Sequence, residues 1–263
     1  MSQAPEQGTR LSAVEIHKNI LEPAEHELRR PAAALFWSAL ASGMVIGFSC
    51  LAAAFGASVA SQPYAHLAAA VGYPLGFIFV IMARRELFTE NTLVPVIPFL
   101  ERRDRETFRR LIRVWGLLLA GNLLGATIFG FALARSPVVD PQVASELLRI
   151  SREVTTGGFG RVLYSAVFGG WLIALLAWLL ASTRSTAAQI LLIWLCTFPI
   201  AALGFRHSIA GSVEAFYLAW LEDASWSAML GEFVVPAVIG NAIGGVLLVA
   251  LLNYSQVAAE RDG

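Results

Sequence analysis

Two short polar segments interrupt long apolar stretches of this chain, and both carry side chains that could bind an anion or move a proton. The first is residues 84–92, with the sequence RRELFTENT, and the second is residues 204–212, with the sequence GFRHSIAGS. A charged side chain costs roughly 2.5–3.5 kcal/mol at the centre of a bilayer on insertion scales. Unwound backbone is tolerated at that depth only where it is buried in protein or lines a water-filled cavity. We therefore expect both segments to lie at membrane depth and to form a site for a charged or protonatable solute.

The second segment contains His207, the only histidine inside an apolar stretch and away from its ends. An imidazole titrates near neutral pH and can donate or accept a proton. Beside Arg206 and a helix break, it indicates an ion or proton pathway, and the alternative is a packing residue. For the first segment the alternative is a cytoplasmic loop with solvated charges. Against that alternative, too few residues separate Asn91 from the basic cluster at 101–113 for the chain to cross the membrane again.

The elements that must position these segments are membrane-spanning helices. Hydrophobic residues make up 57% of the 263 residues and charged residues 14%, whereas soluble domains have about 25% charged residues. The formal net charge of zero argues against a nucleic-acid partner. Cys50 and Cys196 lie in apolar segments with no ligand spacing around them. The sequence therefore predicts neither a disulfide nor a metal site, and no other cofactor.

Six apolar stretches are long enough to cross about 30 Å of hydrocarbon. The predicted spans cover residues 32–58, 64–99, 107–135, 160–182, 186–219 and 228–254. The second and fifth spans contain the two polar segments, so we expect them to be interrupted helices. With both termini in the cytoplasm, twelve Lys and Arg residues fall in inside segments and four in outside segments. This distribution satisfies the positive-inside rule.

Outside the spans, the chain has an arm and a tail. Residues 1–31 form a polar cytoplasmic arm, in which Ser12 and Glu15 fit a capping box for a short amphipathic helix that ends at Pro23. Residues 32–256 form the pore domain, and residues 257–263 form a cytoplasmic tail. The polar first thirty residues predict no cleavable signal peptide.

Each half of the pore domain carries a G-N-x-x-G block, a pattern of small residues that favours close helix packing. The blocks contain Asn122 with Gly125 and Asn241 with Gly244. Thr89 lies 33 residues before the first asparagine, and His207 lies 34 residues before the second. A repeat of three spans is odd in number, so its two copies have opposite orientation, as in inverted-repeat transporters. The alternative is that the blocks only pack helices and that their spacing is coincidental.

The motifs ELFTENTL and GFRHSIA and the two G-N-x-x-G blocks together resemble the formate/nitrite transporter family over residues 32–256. The resemblance implies an all-α, aquaporin-like membrane protein with six transmembrane helices in a 3+3 inverted repeat, with helices 2 and 5 interrupted. It also implies a homopentamer with one pore in each protomer.

The same resemblance implies functions for individual residues. His207 corresponds to the central histidine of the family's pore, and Thr89 to the threonine of the loop that faces it. Two apolar constrictions flank this histidine. By resemblance the inner one contains Phe77, Leu87, Phe88 and Ile173, and the outer one contains Tyr73 and Ile200.

The chain departs from the family pattern at several positions in and near the two loops. The family usually has small residues at the positions of Arg84, Arg85 and Glu90, and an acidic residue at the position of Arg206. Asparagines that tether the two loops in the family are replaced here by Gly170 and Gly211.

Glu90 and Arg206 break the pattern with opposite charges in loops that are expected to face each other. We hypothesise that they form a buried ion pair that replaces the missing tethers. The alternative is that the charges pair elsewhere, Arg206 with Glu214 and Arg84 with Glu86.

The sequence predicts transport of small monovalent anions of the formate or nitrite type, with protons and the lipid bilayer as further partners. In this hypothesis Arg84 or Arg85 attracts the anion, His207 gives or shares a proton, and Thr89 orients the anion. A protonatable group has a function at the midplane because an anion loses its hydration in a dry constriction at high cost. We expect the protein in a bacterial-type cytoplasmic membrane, with both termini in the cytoplasm.

Three other functions fit a protein with six spans. An intramembrane serine protease would use Ser49, Ser208 or Ser212, and none of them stands in a Gly-x-Ser-Gly setting. The sequence therefore predicts that the protein is not an enzyme. A water channel would need Asn-Pro-Ala loops, which the sequence lacks. A sensor or scaffold without an active pore is the third alternative, because the two loops diverge from the family.

Overall fold

The computed structural model describes residues 10–135, 137 and 139–262, and every regular element in this part of the chain is a helix. The helices are α1 (Ala13–Glu27), α2 (Ala32–Val59), α3 (Gln62–Met82), α4 (Val96–Arg102), α5 (Arg105–Arg135), α6 (Pro141–Thr155), α7 (Gly158–Leu180), α8 (Thr186–Ala202), α9 (Ser208–Trp220) and α10 (Trp226–Arg261). The prediction of an all-α fold with interrupted second and fifth spans is confirmed. The second span is α3 with α4, and the fifth is α8 with α9.

Among the described residues, five helices are long and apolar enough to cross a membrane, namely α2, α3, α5, α7 and α10. Helix α8 is a shorter apolar helix of 17 residues. Large apolar side chains on the outer faces are exposed, including those of Trp37, Phe55 and Tyr164. Such a surface suits contact with hydrocarbon or with another membrane helix.

The two interruptions have the same backbone geometry. Arg84 follows α3 with φ of 55°, and Gly204 follows α8 with φ of 68°. The next residue in each loop donates its N–H to a carbonyl five residues earlier, from Arg85 to Val80 and from Phe205 to Ile200. This is the hydrogen bond of a Schellman motif, in which a left-handed residue ends the helix and turns the chain away. Each span therefore ends its first helix at this turn and resumes as a short helix after the loop.

The two ends of the helix bundle carry different elements. Helix α1 and the end of α10 pack with α4, and we call this the arm end. Helix α6 connects the far ends of α5 and α7 and packs on α2 and α9. We call this opposite side the α6 end. There, Arg152 pairs with Asp223 through hydrogen bonds of 2.8 and 2.5 Å.

Three features outside the spans differ from the sequence predictions. Helix α1 does not end at Pro23 but continues to Glu27, because Ile20 and Ala24 are buried against neighbouring helices. Helix α6 was not predicted, although Asp140 as N-cap and Pro141 in the first turn are helix-start signals. Helix α10 continues to Arg261, beyond the predicted end of the sixth span at residue 254. Residues 1–9 of the predicted arm and residue 263 of the predicted tail lie outside the described residues.

Candidate functional site

The two interrupted spans meet at Thr89 and His207. Thr89 Oγ1 lies 2.7 Å from His207 Nε2, and both side chains are buried. His207 is also the N-cap of α9, since its Nδ1 accepts the backbone N–H of Ala210 at 3.1 Å. An imidazole nitrogen that accepts a hydrogen bond carries no proton. These hydrogen bonds assign the neutral tautomer to His207, with its proton on Nε2 and donated to the Thr89 hydroxyl oxygen.

Asn122 of α5 holds the first loop through its side chain. Its Oδ1 accepts the N–H of Phe88 at 2.8 Å, and its Nδ2 donates to the carbonyl oxygens of Glu86 at 2.9 Å and of Ala39 at 2.8 Å. The helix break removes the backbone partners of the Phe88 N–H and the Glu86 carbonyl, and a buried site offers little water to replace them. The asparagine supplies these partners, and we call this set of three hydrogen bonds an asparagine clamp.

Asn241 of α10 forms the second asparagine clamp. Its Oδ1 accepts the N–H of Ser208 at 2.7 Å, and its Nδ2 donates to the carbonyl oxygens of Arg206 at 3.0 Å and of Ala166 at 2.7 Å. The sequence predicted only a packing function for the two asparagines. The matching contacts in the two halves are consistent with the predicted inverted repeat.

The clamps also fix which loop residues correspond. In each clamp, the asparagine accepts the N–H of one loop residue and donates to the carbonyl oxygen of the residue two positions earlier. The residue between these two is Leu87 in the first loop and His207 in the second. The number of residues to each asparagine predicts that Thr89 is the equivalent of His207. The clamps show that the equivalent residue is Leu87, two positions before Thr89. The count of residues to an asparagine does not reveal which backbone atoms reach its side chain.

The glycines of the G-N-x-x-G blocks allow neighbouring helices to approach closely. A Cβ atom at Gly125 would lie 2.2 Å from the carbonyl oxygen of Leu40 on α2. A Cβ atom at Gly244 would lie 2.0 Å from the carbonyl oxygen of Val167 on α7. Helix packing by small residues therefore brings each clamping asparagine to its loop.

Two other glycines stand where the family resemblance places tethering asparagines. A Cβ atom at Gly170 would lie 2.2 Å from the carbonyl oxygen of Asn241. At Gly211 it would lie 2.3 Å from Cζ of the Phe233 ring. A larger side chain does not fit at either position without movement of its neighbours.

A cavity of about 80 Å³ lies at the α6 end, and His207 forms part of its wall. Tyr73 and Ile200, the predicted outer constriction, also line it. Arg206 is a further lining residue, and its side chain is anchored to backbone. Its guanidinium donates to the carbonyl oxygens of Gly204 at 2.5 Å and of Glu153 at 3.1 Å. The cavity therefore connects a charged rim with the histidine.

A larger cavity of about 270 Å³ lies at the arm end, and Arg84, Arg85 and Glu90 line it together with α1 residues Asn19 and Ile20. The sequence predicts that these charges lie at membrane depth. In the structure they surround a cavity that the arm helix also borders, and Arg84 is exposed. Water in this cavity can solvate them, which lowers the cost of the charges.

Two acidic residues that line the arm-end cavity share one arginine behind its wall. The Arg30 guanidinium bridges the carboxylates of Glu27 on α1 and Glu86 in the first loop. The second oxygen of Glu86 accepts from the side chain of Asn91 at 3.1 Å. Burial raises the pKa of Glu27, and the nearby charge of Glu86 acts in the same direction. Arg30 therefore links the arm helix to the first loop.

An apolar stretch separates the two cavities. Tyr73, Phe77 and Ile81 follow one another by one turn each along α3. Tyr73 lines the α6-end cavity and Ile81 the arm-end cavity, whereas Phe77 lines neither and is fully buried. The Phe77 ring lies edge-on to the His207 imidazole, with 4.9 Å between centroids. The remaining predicted constriction residues, Leu87, Phe88 and Ile173, are also buried and line neither cavity.

The hypothesised ion pair between Glu90 and Arg206 is wrong. No salt bridge joins them within the described residues, because Glu90 lines the arm-end cavity and Arg206 the α6-end cavity. The alternative partners also differ from the prediction. Glu86 pairs with Arg30, and Arg206 bonds to backbone carbonyls.

The serines considered for an intramembrane protease do not reach His207. Both imidazole nitrogens are already occupied, by Ala210 and by Thr89. Ser212 donates its hydroxyl to the carbonyl of Ser208 at 2.6 Å. The hydroxyl groups of Ser49 and Ser208 have no hydrogen-bond partner within the described part of the chain. No nucleophile–base pair of the kind that a serine protease needs is formed there.

Sequence reasoning missed Arg30, which holds two lining residues of the arm-end cavity, and Glu214, which lines the α6-end cavity. Arg30 entered the sequence analysis only as one of the twelve basic residues in inside segments. Its position beside Pro31, at the start of the first span, was the only sign in the sequence that it could reach the loop. Glu214 was considered only as a partner of Arg206, although a carboxylate within an apolar stretch is itself a signal of function.

A family model described as "Formate/nitrite transporter" matches residues 14–255 of the chain. The chain is 36% identical over 246 residues to "Inner membrane protein YfdC" of Escherichia coli K12, covering 93% of this chain and 79% of that protein. It is 27% identical over 205 residues to a "Probable formate transporter" of Methanothermobacter thermautotrophicus, covering 72% of this chain and 74% of that protein.

Two solved structures have the same fold. A "Pentameric formate channel with formate bound" matches with a TM-score of 0.72 at 21% identity, over 86% of this chain and 97% of that chain. An "FNT family ion channel" matches with a TM-score of 0.76 at 19% identity, over 93% of this chain and 98% of that chain.

Proposed function

Because the chain belongs to the formate/nitrite transporter family, we propose that each protomer carries small monovalent anions of the formate or nitrite type across the membrane. The family and the fold support anion transport and give no support to an enzymatic function. The observation that carries the proposal is the buried hydrogen bond between Thr89 and His207, at the apolar stretch between two cavities.

The mechanism follows from the cost of dehydrating an anion. An ion loses most of its hydration in an apolar constriction, so it needs a hydrogen-bond donor or a proton there. His207 donates its Nε2 proton to the Thr89 oxygen, which leaves the Thr89 hydroxyl proton free to point at an anion. The N-terminus of α9 begins at His207 and adds a positive dipole end. Arg84 and Arg85 at the arm end and Arg206 at the α6 end attract the anion to either cavity.

The proposal includes the assembly and the membrane. We propose a homopentamer, because a solved structure with this fold is titled a pentameric formate channel. We propose the bacterial cytoplasmic membrane, because a relative at 36% identity is named an inner membrane protein. Both termini are proposed to be cytoplasmic, as the distribution of basic residues indicates.

Flux in proteoliposomes tests this function. We expect the wild-type protein to carry formate and nitrite with a rate that depends on pH, and His207→Phe to abolish this flux. His26→Phe is the matched control, because His26 is exposed on α1. Unchanged, pH-independent flux in His207→Phe would remove His207 from the mechanism. If the wild-type protein carries no anion from a panel of small monovalent anions, the sensor or scaffold alternative is favoured instead.

A further inference from the structure

Glu214 is a buried carboxylate in the wall of the α6-end cavity. It lies on α9, and it is 3% exposed. His207, Gly211 and Glu214 are spaced by four and three residues, so they share one face of α9, and all three line the cavity. Glu214 therefore faces the same water-sized space as the central histidine.

No hydrogen bond or ion pair within the described residues reaches the carboxylate of Glu214. The nearby guanidinium of Arg206 is directed to the carbonyl oxygens of Gly204 and Glu153. A buried carboxylate without a protein partner is costly, and within a membrane span such a group indicates a function. The remaining partner available to the Glu214 carboxylate is a molecule that occupies the cavity.

The other charged groups of this cavity do not share these properties. Glu153 is the second acidic lining residue, and its side chain is 62% exposed and bonded to Arg149. Arg149 is 47% exposed and also pairs with Glu146. Glu214 is thus the acidic lining residue that is shielded from bulk solvent on the route to His207.

We infer that Glu214 is the proton-exchange residue of the α6-end cavity, which passes a proton to a small weak-acid anion before it enters the apolar stretch. This inference rests on the proposed function and names the form in which the substrate crosses. The O–H bond of the Glu214 carboxyl group breaks, and a new O–H bond forms on the anion, which becomes a neutral acid. The carboxylate is then protonated by a hydronium ion that enters the cavity from the solvent and leaves as water, and the reverse transfer serves movement in the opposite direction.

The acidities of Glu214 and of a small carboxylic acid favour this proton exchange. A glutamic acid side chain and a small carboxylic acid have similar intrinsic acidities, so the proton moves between them at little cost. His207 is poorly placed to supply that proton, because its Nε2–H is donated to Thr89 and its Nδ1 caps α9. The titratable or charged groups around Glu214 are Cys50, Tyr73, His66, Arg149, Glu153, Arg206 and His207.

Simultaneous measurement of anion uptake and internal pH in proteoliposomes tests the inference. With Glu214→Gln we expect uptake driven by a pH gradient to fall about tenfold or more, while anion movement driven by a membrane potential persists. Glu214→Asp should keep proton-linked uptake, and Glu153→Gln is the matched control at the exposed rim. If Glu214→Gln retains the wild-type number of protons per anion and the wild-type rate, the inference is wrong.

Two results separate this inference from the proposed function. Absence of anion flux in the wild-type protein overturns both, whereas unchanged proton coupling in Glu214→Gln overturns only the function of Glu214. Infrared difference spectra recorded from acidic to alkaline pH provide a readout without transport. The carboxyl C=O band of a buried acid should be present in the wild-type protein and absent in Glu214→Gln. A band that is identical in both proteins contradicts titration of Glu214.

Discussion

Leu87 and His207 occupy equivalent positions in the two interrupted spans. In both loops the clamping asparagine binds the carbonyl oxygen of the preceding residue and the N–H of the following residue. For Leu87 these neighbours are Glu86 and Phe88, and for His207 they are Arg206 and Ser208. Leu87 and His207 are both buried. One half of the chain thus presents an apolar side chain, and the other half presents an imidazole, at the same place in the loop. The asymmetry of the proposed pathway lies in these two side chains, because the backbone around them is alike.

The hydroxyl group of Thr89 is expected to be needed for flux, whereas its methyl group is not. Thr89→Val keeps the shape of the side chain and leaves the Nε2–H of His207 without its 2.7 Å acceptor. A lost hydrogen bond of roughly 1.4 kcal/mol corresponds to about a tenfold decrease in formate flux. Thr89→Ser retains the hydroxyl and should conduct at close to the wild-type rate. Equal flux in Val and Ser variants would contradict the proposed contact with the anion.

The clamp formed by Asn241 is expected to contribute strongly to stability. Asn241→Leu leaves the N–H of Ser208 and the carbonyl of Arg206 without these partners, and it also removes the bond to the carbonyl of Ala166 on α7. Each unsatisfied buried group costs about 1–3 kcal/mol, so the melting temperature in detergent should fall clearly. Asn253→Leu is the control on the same helix, because Asn253 is half-buried and its side chain makes no hydrogen bond within the described residues. A similar melting temperature for both variants would show that the clamp is dispensable.

Two glycines on α5 are expected to respond to alanine in opposite ways. The added Cβ of Gly125→Ala would lie 2.2 Å from the Leu40 carbonyl oxygen, so α2 and α5 must separate at a cost of about 1–3 kcal/mol. Nothing lies within 4 Å of a Cβ atom at Gly116, and alanine there should stabilise the helix by about 0.5–1 kcal/mol. Thermal unfolding of the two variants measures both effects. Equal shifts would argue against close packing of α2 and α5.

The docking of the arm helix is expected to weaken in acid. His17 of α1 is buried and its Nε2 lies 2.7 Å from Glu101 Oε1, which also accepts from Arg261 at 2.8 Å. Burial lowers the pKa of His17 below 6.5, and the hydrogen bond to Glu101 only partly offsets this. Its Nδ1 has no partner among the described residues, so a second proton there would be unsatisfied.

A lowered histidine pKa means that the undocked arm binds more protons than the docked one. Docking is therefore at full strength above pH 6.5 and is lost progressively as the pH falls below that value. Protection factors of residues 13–27, which are the intrinsic exchange rate divided by the observed rate at each pH, measure the effect across this range. His17→Gln should remove the pH dependence of these protection factors, and His26→Gln, at an exposed site on the same helix, should keep it. Protection factors in the wild-type protein that do not change with pH would rule out this linkage.

The sequence alone determined the spans and the two interruptions, and its resemblance to a family implied that Thr89 faces His207. Apolar runs of a given length and polar residues within them act locally, so the first five predicted spans match the observed helices to within a few residues. The two G-N-x-x-G blocks indicated close helix packing, and the structure shows that the partner helices are α2 for α5 and α7 for α10.

Only the tertiary structure decided which groups the asparagines and the charges contact. Asn122 and Asn241 bind loop carbonyl and N–H groups more than 30 residues away, and spacing matched those loops two residues out of register. Glu90 and Arg206 have opposite charges, yet each faces a different cavity. Long-range partners depend on how helices pack and where a loop places its backbone groups, and these are properties of the whole bundle rather than of any segment of the chain.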